Sequence, residues 1–223
     1  MADDHVERIV DLAGWQGPYT WRLDWPAIEI ALGHTLPSDY KRLRERLPPG
    51  RFGGFLILLH PASVSDGGNL LVEERSLNEP DGLVEMLVEQ EGIDTEEANA
   101  GRLPIIALAP DGKVVDPPPG DDEEWRPLFG PGQLHPCFRT DNGDYGFWIA
   151  TENDPDEWII GINYVRGGTV EWYERSLSSL LHEMLTDGYP FRGPLGQGPR
   201  PLMFTPFTSG ALLQSPPLAR PAI

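Results

Sequence analysis

Apolar residues in this chain recur either at helical spacing or in short continuous and alternating runs, and the switches between the two mark its elements. Val6, Ile9, Val10 and Ala13 predict a short amphipathic helix over residues 4–13, followed by a loop over 14–19. Asp24 has the chemistry of an N-cap, and Pro26 sits in the first turn, where its missing N–H costs nothing. Ile28, Ala31 and Leu32 are expected to face inward, and Gly33 to close that helix in the left-handed conformation. Ser38 or Asp39 is expected to cap the next helix. Tyr40, Leu43 and Leu47 form its apolar face, and Pro48, Pro49 and Gly50 stop it.

The pattern then shifts towards strands. Phe55 to Leu59 is a continuous apolar run and reads as a buried strand. Residues 69–91 read as helix in two pieces, broken near Pro80, Asp81 and Gly82, with Leu83, Met86, Leu87 and Gln90 defining the second. Ile105 to Leu108 reads as a strand, and residues 110–113 as a turn into Val114 and Val115. Asp116 to Glu124 is a proline-rich acidic loop.

Asp141, Asn142, Gly143 and Asp144 have tight-turn chemistry, because Asn-Gly accepts positive φ. Strands are expected at 145–150, 158–164 and 169–173, joined by turns at 153–156 and 166–168 into an antiparallel meander. Ser176 caps a closing helix in which Leu177, Leu180, Leu181, Met184 and Leu185 keep the cleanest periodicity in the chain, with Gly188 at its C-terminal end. From Gly193 onward there is no Asp or Glu and prolines recur, so residues 193–223 read as an extended or disordered tail. Leu202, Met203, Phe204 and Phe207 are the residues able to tack part of it to the domain. There is no internal repeat. The fold class is α+β.

Composition narrows this picture. A chain of 223 residues suits one domain with appendages or two small ones. With 17 Lys and Arg against 35 Asp and Glu, the formal charge is −18. That field repels nucleic acid and anionic membranes and attracts basic partners; it also serves plain solubility, and composition leaves both readings open. Basic residues are nearly all Arg, the lysines being Lys41 and Lys113. Cys137 is alone, which excludes an internal disulfide and a cysteine zinc site and fits a reducing compartment. The acidic first residues do not resemble a signal peptide, and no apolar run is long enough to span a bilayer. A cytoplasmic location is expected.

Candidate chemistry is sparse. His5, His34, His60, His135 and His182 form no local pair in a ligand pattern, and His182-Glu183 lacks the second histidine of a metalloprotease helix. The chain has no nucleophile elbow, no P-loop and no dinucleotide fingerprint. The acids of 141–144 and 152–157 lack the ordered spacing of a calcium loop, and no spacing singles out a glycosidase-type carboxylate pair. No catalytic residue, metal or cofactor is expected. Trp21, Trp25, Trp148, Trp158 and Trp172 suit either a sugar-stacking platform or a packed core. Lys41, Arg42, Arg44, Arg46 and Arg51 suit either a phosphate patch or a solvated face paired with acids. The acidic segments Asp121, Asp122, Glu123, Glu124 and Glu152, Asp154, Asp156, Glu157 adjoin Trp125 and Trp158. They read either as a protein-binding edge of acids around an aromatic anchor or as solvated loops.

Several of these segments together carry a resemblance. Trp25-x₂-Ile28-Glu29, Leu36-Pro37-Ser38-Asp39-Tyr40-Lys41-x-Leu43 and Gly53-Gly54-Phe55 resemble the N-terminal signature of the SUKH superfamily. Gly143-Asp144-x₃-Trp148-x-Ala150-Thr151, Asp154-Pro155-Asp156-x-Trp158 and the Ser176 helix resemble its C-terminal half. The likeness runs in order through residues 15–190, with a longer insertion at 60–103 and an unmatched proline-rich tail. Where typical members carry a longer glycine-rich stretch, this chain has Pro48-Pro49-Gly50-Arg51-Phe52-Gly53-Gly54, which leaves the ligand open.

The resemblance implies a single domain over residues 1–192 with a curved, mainly antiparallel sheet, N-terminal helices, an inserted helical segment and a closing helix. It further implies a non-catalytic immunity protein that occludes a toxin domain, often a nuclease or deaminase. Such toxins are usually basic, which agrees with the acidic charge. A regulatory or scaffold protein with a cellular partner, like relatives that resemble cell-wall-assembly regulators, is the alternative. A carbohydrate-binding module or an enzyme is the third.

Overall fold

The computed structural model describes residues 4–15, 23–64, 66–78, 106–108, 114–115, 134–150, 152–164, 169–186 and 203–207. The expected second helical piece around Leu83, the acidic loop 116–124, the 166–168 turn, Gly188 and most of the tail lie outside them. Among the described residues no helix is long and apolar enough to cross a membrane.

Local sequence chemistry sets the first helices. α1 (His5–Ala13) buries Val6, Ile9 and Ala13, and Gly14 ends it at φ +59°. α2 (Trp25–Leu32) starts where the Asp24 side chain accepts the Ala27 N–H at 3.2 Å, and Gly33 ends it at φ +84°. Its inward face is narrower than expected. Ile28 is buried, but Ala31 is exposed and Leu32 half-buried; both line a cleft, and Leu32 also packs against the edge of the core. α3 (Ser38–Arg46) turns Tyr40 and Leu43 inward, with Leu47 following, and all three are fully buried. α4 (Leu70–Asn78) is the first piece of the insertion, and α5 (Leu177–Thr186) is the closing helix with all five predicted apolar residues buried.

The fold is α+β with one mainly antiparallel, open sheet. Its strands are β1 (Gly50–Phe52), β2 (Leu56–Leu58), β3 (Ile106–Leu108), β4 (Val114–Val115), β5 (Leu134–Thr140), β6 (Tyr145–Ile149), β7 (Ile159–Tyr164), β8 (Thr169–Tyr173) and β9 (Phe204–Pro206). They lie in the order β4-β3-β8-β7-β6-β5-β2-β1-β9. Among the described strands only the β3–β8 pair is parallel. β5 to β8 form the expected meander, lengthened by β5, which the sequence pattern did not reveal.

β5 is disguised by its Pro136 and by the bulge between Pro136 and Phe138. Proline is tolerated because β2 pairs with Phe138 to Thr140, so among the described residues the first half of β5 has no second strand partner. The β5–β6 turn uses one left-handed residue, Gly143 at φ +92°, and not Asn142. The Gly143 N–H closes the turn on the Thr140 carbonyl at 3.0 Å.

Residues of the tail return to the sheet. β9 pairs antiparallel with β1, and Phe204 packs its ring against Phe52 at 5.1 Å between centroids. Phe204 thus tacks the tail as expected, and it does so as an edge strand.

Trp148, Ile160 and Ile162 join the main core with α1, α3 and α5, while Phe147, Ile149 and Ile159 join Leu134 and Leu77 in a second cluster. The alternation along β6 and β7 puts these clusters on opposite faces of the sheet.

The helix caps correct one expectation. Pro37, and neither Ser38 nor Asp39, stands at the N-cap position of α3. Asp156, far along the chain, accepts the Ser38 N–H at 2.5 Å. Asp39 serves two helices: its Oδ1 accepts the Tyr40 N–H in the first turn of α3 and its Oδ2 accepts the Ser178 N–H of α5, both at 2.7 Å. Each helix start thus receives a carboxylate from a distant part of the chain, α3 from Asp156 and α5 from Asp39, which satisfies donors that would otherwise be orphaned.

Two substitutions test this packing. Asp39→Ala should cost about 1–2 kcal/mol, the upper range for an N-cap, in urea unfolding. A Cβ on Gly146 would lie 2.1 Å from the Phe138 ring that crosses it, so Gly146→Ala should cost about 1–3 kcal/mol. Phe138→Leu should relieve part of that cost, and strictly additive values for the double variant would contradict the contact.

Candidate functional site

Three polar side chains from distant elements converge beside a cleft of about 610 Å³. His34 follows the Gly33 cap of α2, Glu74 comes from the middle of α4, and His135 is the second residue of β5. Each is placed by its own element. Gly33 turns the chain out of α2, and Glu29 then pins the connection by accepting the Leu36 N–H and the Lys41 ammonium, both at 2.9 Å. Asn69 accepts the Leu71 and Val72 N–H groups and so starts α4. His135 lies opposite Trp148 in the β5–β6 register.

The contacts are close. Glu74 Oε1 lies 2.7 Å from His135 Nδ1 and 3.4 Å from His34 Nε2. His34 Nδ1 lies 2.9 Å from the Thr35 carbonyl, so it is the donor there. The two imidazoles approach to 3.7 Å between centroids. Trp158 stacks on His135 at 5.0 Å, and its indole N–H donates to the Glu152 carbonyl at 2.7 Å. Glu74 and His135 are buried, and His34 is half-buried at the cleft. Ala31, Leu71, Arg75 and Ala150 complete much of the lining.

Burial opposes charge on His34, but the Glu74 carboxylate, the Thr35 carbonyl and the charge of Glu29 outweigh it, and its pKa is raised. Burial likewise opposes charge on Glu74, and here the two histidines outweigh it, so its pKa is lowered. His60 is the contrast. It is fully buried, and burial with the neighbouring Arg44 charge drives its pKa well down.

His34, Glu74 and His135 each offer a ligand atom, and these lie within 4.8 Å of one another. The sequence reading expected no metal from the absence of a local histidine pair. Spacing rules do not reach a cluster assembled from a helix end, a second helix and an unrecognised strand. No local signal marks it.

The acidic residues expected to form a binding edge divide. Asp121, Asp122, Glu123, Glu124 and Trp125 lie outside the described residues. Glu152, Asp154, Asp156 and Glu157 are exposed on the turn between β6 and β7. Asp154 caps a short 3-10 turn over Pro155–Glu157, and Asp156 is bonded to α3. Trp158 is not an exposed anchor for them; at 7% exposed it belongs to the core and the cleft wall.

The basic cluster is dispersed. Lys41 pairs with Glu29, Arg42 with Asp4, Arg46 with Glu7 and Arg51 with Asp141, while Arg44 is fully buried beneath α3. Of the tryptophans, Trp148 and Trp158 are core, and Trp25 is half-buried with its N–H on Glu45.

Comparison with models of protein families, with curated proteins and with solved structures finds no match.

The charges in the cleft set a pH dependence. The raised His34 contributes stability that is complete below its ordinary value of 6.5 and is lost as pH rises through the raised one. The lowered Glu74 contributes stability that is complete above 4.5 and is lost as pH falls through its own value. Their pairing is therefore strongest between about pH 4.5 and 6.5. NMR titration of metal-free protein should find the His34 midpoint above 6.5 and no titration of His60 near neutrality. In Glu74→Gln, burial is left dominant and the His34 midpoint should fall; an unchanged midpoint would remove Glu74 as the cause.

Proposed function

We propose that this chain is a non-catalytic binding protein that docks a basic protein domain against the 152–157 turn. We take it to be a cytoplasmic SUKH-like immunity protein, and the partner to be a cognate toxin domain that acts on nucleic acid. The observation that carries the reading is the turn itself. It presents four exposed acids on a support held by Pro155, by the Asp154 cap and by the Asp156 bond to α3. Glu152 and Glu157 carry no ion pair among the described residues, so their charge is available to a partner. A recess of about 210 Å³ lies beside the turn, walled by Asp39, Asp156 and Ser176.

The mechanism is occlusion. A basic substrate cleft is drawn in by the field of a chain of charge −18 and is covered by a surface that needs no rearrangement. Exposed charges at a rim act mainly on the association rate, and residues buried at the centre of the contact set the dissociation rate.

Co-expression with the product of the neighbouring gene, scored by cell survival and co-elution, tests the partner. Survival with a stable complex is expected; a harmless neighbour and no complex would sink the toxin reading. Within such a complex, Glu152→Lys with Glu157→Lys should slow association by roughly tenfold or more at low salt, with the loss shrinking as salt is raised. The same pair should leave folding stability within about 0.5 kcal/mol.

A further inference from the structure

We propose that His34, Glu74 and His135 form a binding site for a zinc-type divalent transition-metal ion, with an open coordination position facing the cleft. The inference does not depend on the identity of the protein partner.

The donor set comes first. Two imidazoles and one carboxylate suit borderline metals, and they suit magnesium or calcium poorly, since those ions take oxygen ligands. Three protein ligands leave a position for water or for a donor from a bound molecule. Geometry comes second. Ligand atoms around a tetrahedral zinc at 2.0–2.1 Å stand about 3.3 Å apart. The His34 Nε2 to Glu74 Oε1 distance of 3.4 Å already matches, and the 2.7 Å between Glu74 and His135 must open by several tenths of an ångström.

The orientation of His34 is the third argument. Its Nδ1–H is committed to the Thr35 carbonyl, which is the outer hydrogen bond that metal-bound histidines use to fix their tautomer. Neutral His34 then directs the bare lone pair of Nε2 towards a carboxylate oxygen, two acceptors face to face. Nε2 is buried and makes no aligned hydrogen bond in the structure. A cation between them resolves that conflict, and the burial of Glu74 and His135 keeps the other ligands oriented. The site is also accessible. The cleft reaches all three residues, and its wall includes Trp158 stacked on His135.

The test uses the full-length, tag-free chain, stripped with chelator and then titrated with zinc chloride at pH 7.5 against a chelating dye. One equivalent of zinc should bind and remain through gel filtration. Separately, cobalt chloride should give the visible absorption of a four- or five-coordinate site. His34→Gln is the primary variant because His34 is the least buried of the three. It should weaken zinc at least about tenfold and abolish the cobalt bands. Glu74→Gln should do the same, and the circular dichroism of both apo variants should match the parent. If the parent retains no zinc, or if both folded variants retain it as the parent does, the proposal is wrong. Zinc held only by surface carboxylates would show the second pattern.

Discussion

The seating of α3 on the sheet is the constraint on which the rest of the structure depends. Tyr40, Leu43, Arg44 and Leu47 are all fully buried, so this helix turns a complete i, i+3, i+4, i+7 stripe inward, one member of it an arginine. The Tyr40 hydroxyl donates to the Leu59 carbonyl at 2.9 Å, and its ring meets Trp148 edge-on at 5.0 Å. That one side chain joins helix, β2 exit and β6. A polar hydroxyl in such a place is stable only with its partner, so the hydrogen bond fixes the height of the helix above the sheet. The same helix meets α1, α5 and the 3-10 turn. Its N-terminus is held by Asp156 from that turn, and its own Asp39 holds α5.

Both regions of functional interest inherit their rigidity from this seating. The acidic turn cannot swing freely, because one of its acids is bonded to the start of α3. His34 lies in the short link between α2 and α3, and the bonds from Glu29 to Leu36 and Lys41 close that link onto α3. Burial penalises the Glu29 charge, yet Lys41, the Leu36 N–H and His34 hold its pKa below the ordinary carboxylate value. A site side chain on a connection is thereby held almost as firmly as one on an element, the condition for preorganised ligation or recognition.

The elements with strong local chemistry were legible. α1 and α5 declare themselves through their period, α2 through its Asp24 cap and Gly33, and the meander through its turn residues. What failed to show were features whose cause is remote in sequence. β5 carries Leu, His, Pro, Cys, Phe and Arg in a row, and only its neighbours β6 and β2 make it a strand. Asp39 reads as serving its own helix, and its second bond, to the start of α5, depends on residues brought together by the fold. For the basic run of Lys41 to Arg51 the sequence allows a phosphate patch or a face paired with acids, and the structure shows the pairing, with acids that come from residues 4, 7, 29 and 141. The cleft cluster combines all these difficulties, since one of its three residues sits in the unrecognised strand.

Charge acts in this molecule at two ranges, and the two have different consequences. The exposed acids sum to a long-range field, screened over roughly 8–10 Å in physiological salt, that selects for basic partners in general. In the cleft the carboxylate is buried, screening is weak, and what matters is the exact count of protons and cations. With both histidines neutral the cluster carries one negative charge in a low-dielectric wall, a costly arrangement unless something positive joins it. A proton on His34 answers that need at low pH, and it occupies the lone pair that a metal requires. Proton and metal therefore compete for the same atom, so a metal would bind more tightly as pH rises. The surrounding negative field favours either cation over an anion. The chain's acidity and the His34, Glu74 and His135 cluster thus act in the same direction, and a cation in the cleft would reduce a charge imbalance that the packing of α4 against β5 creates.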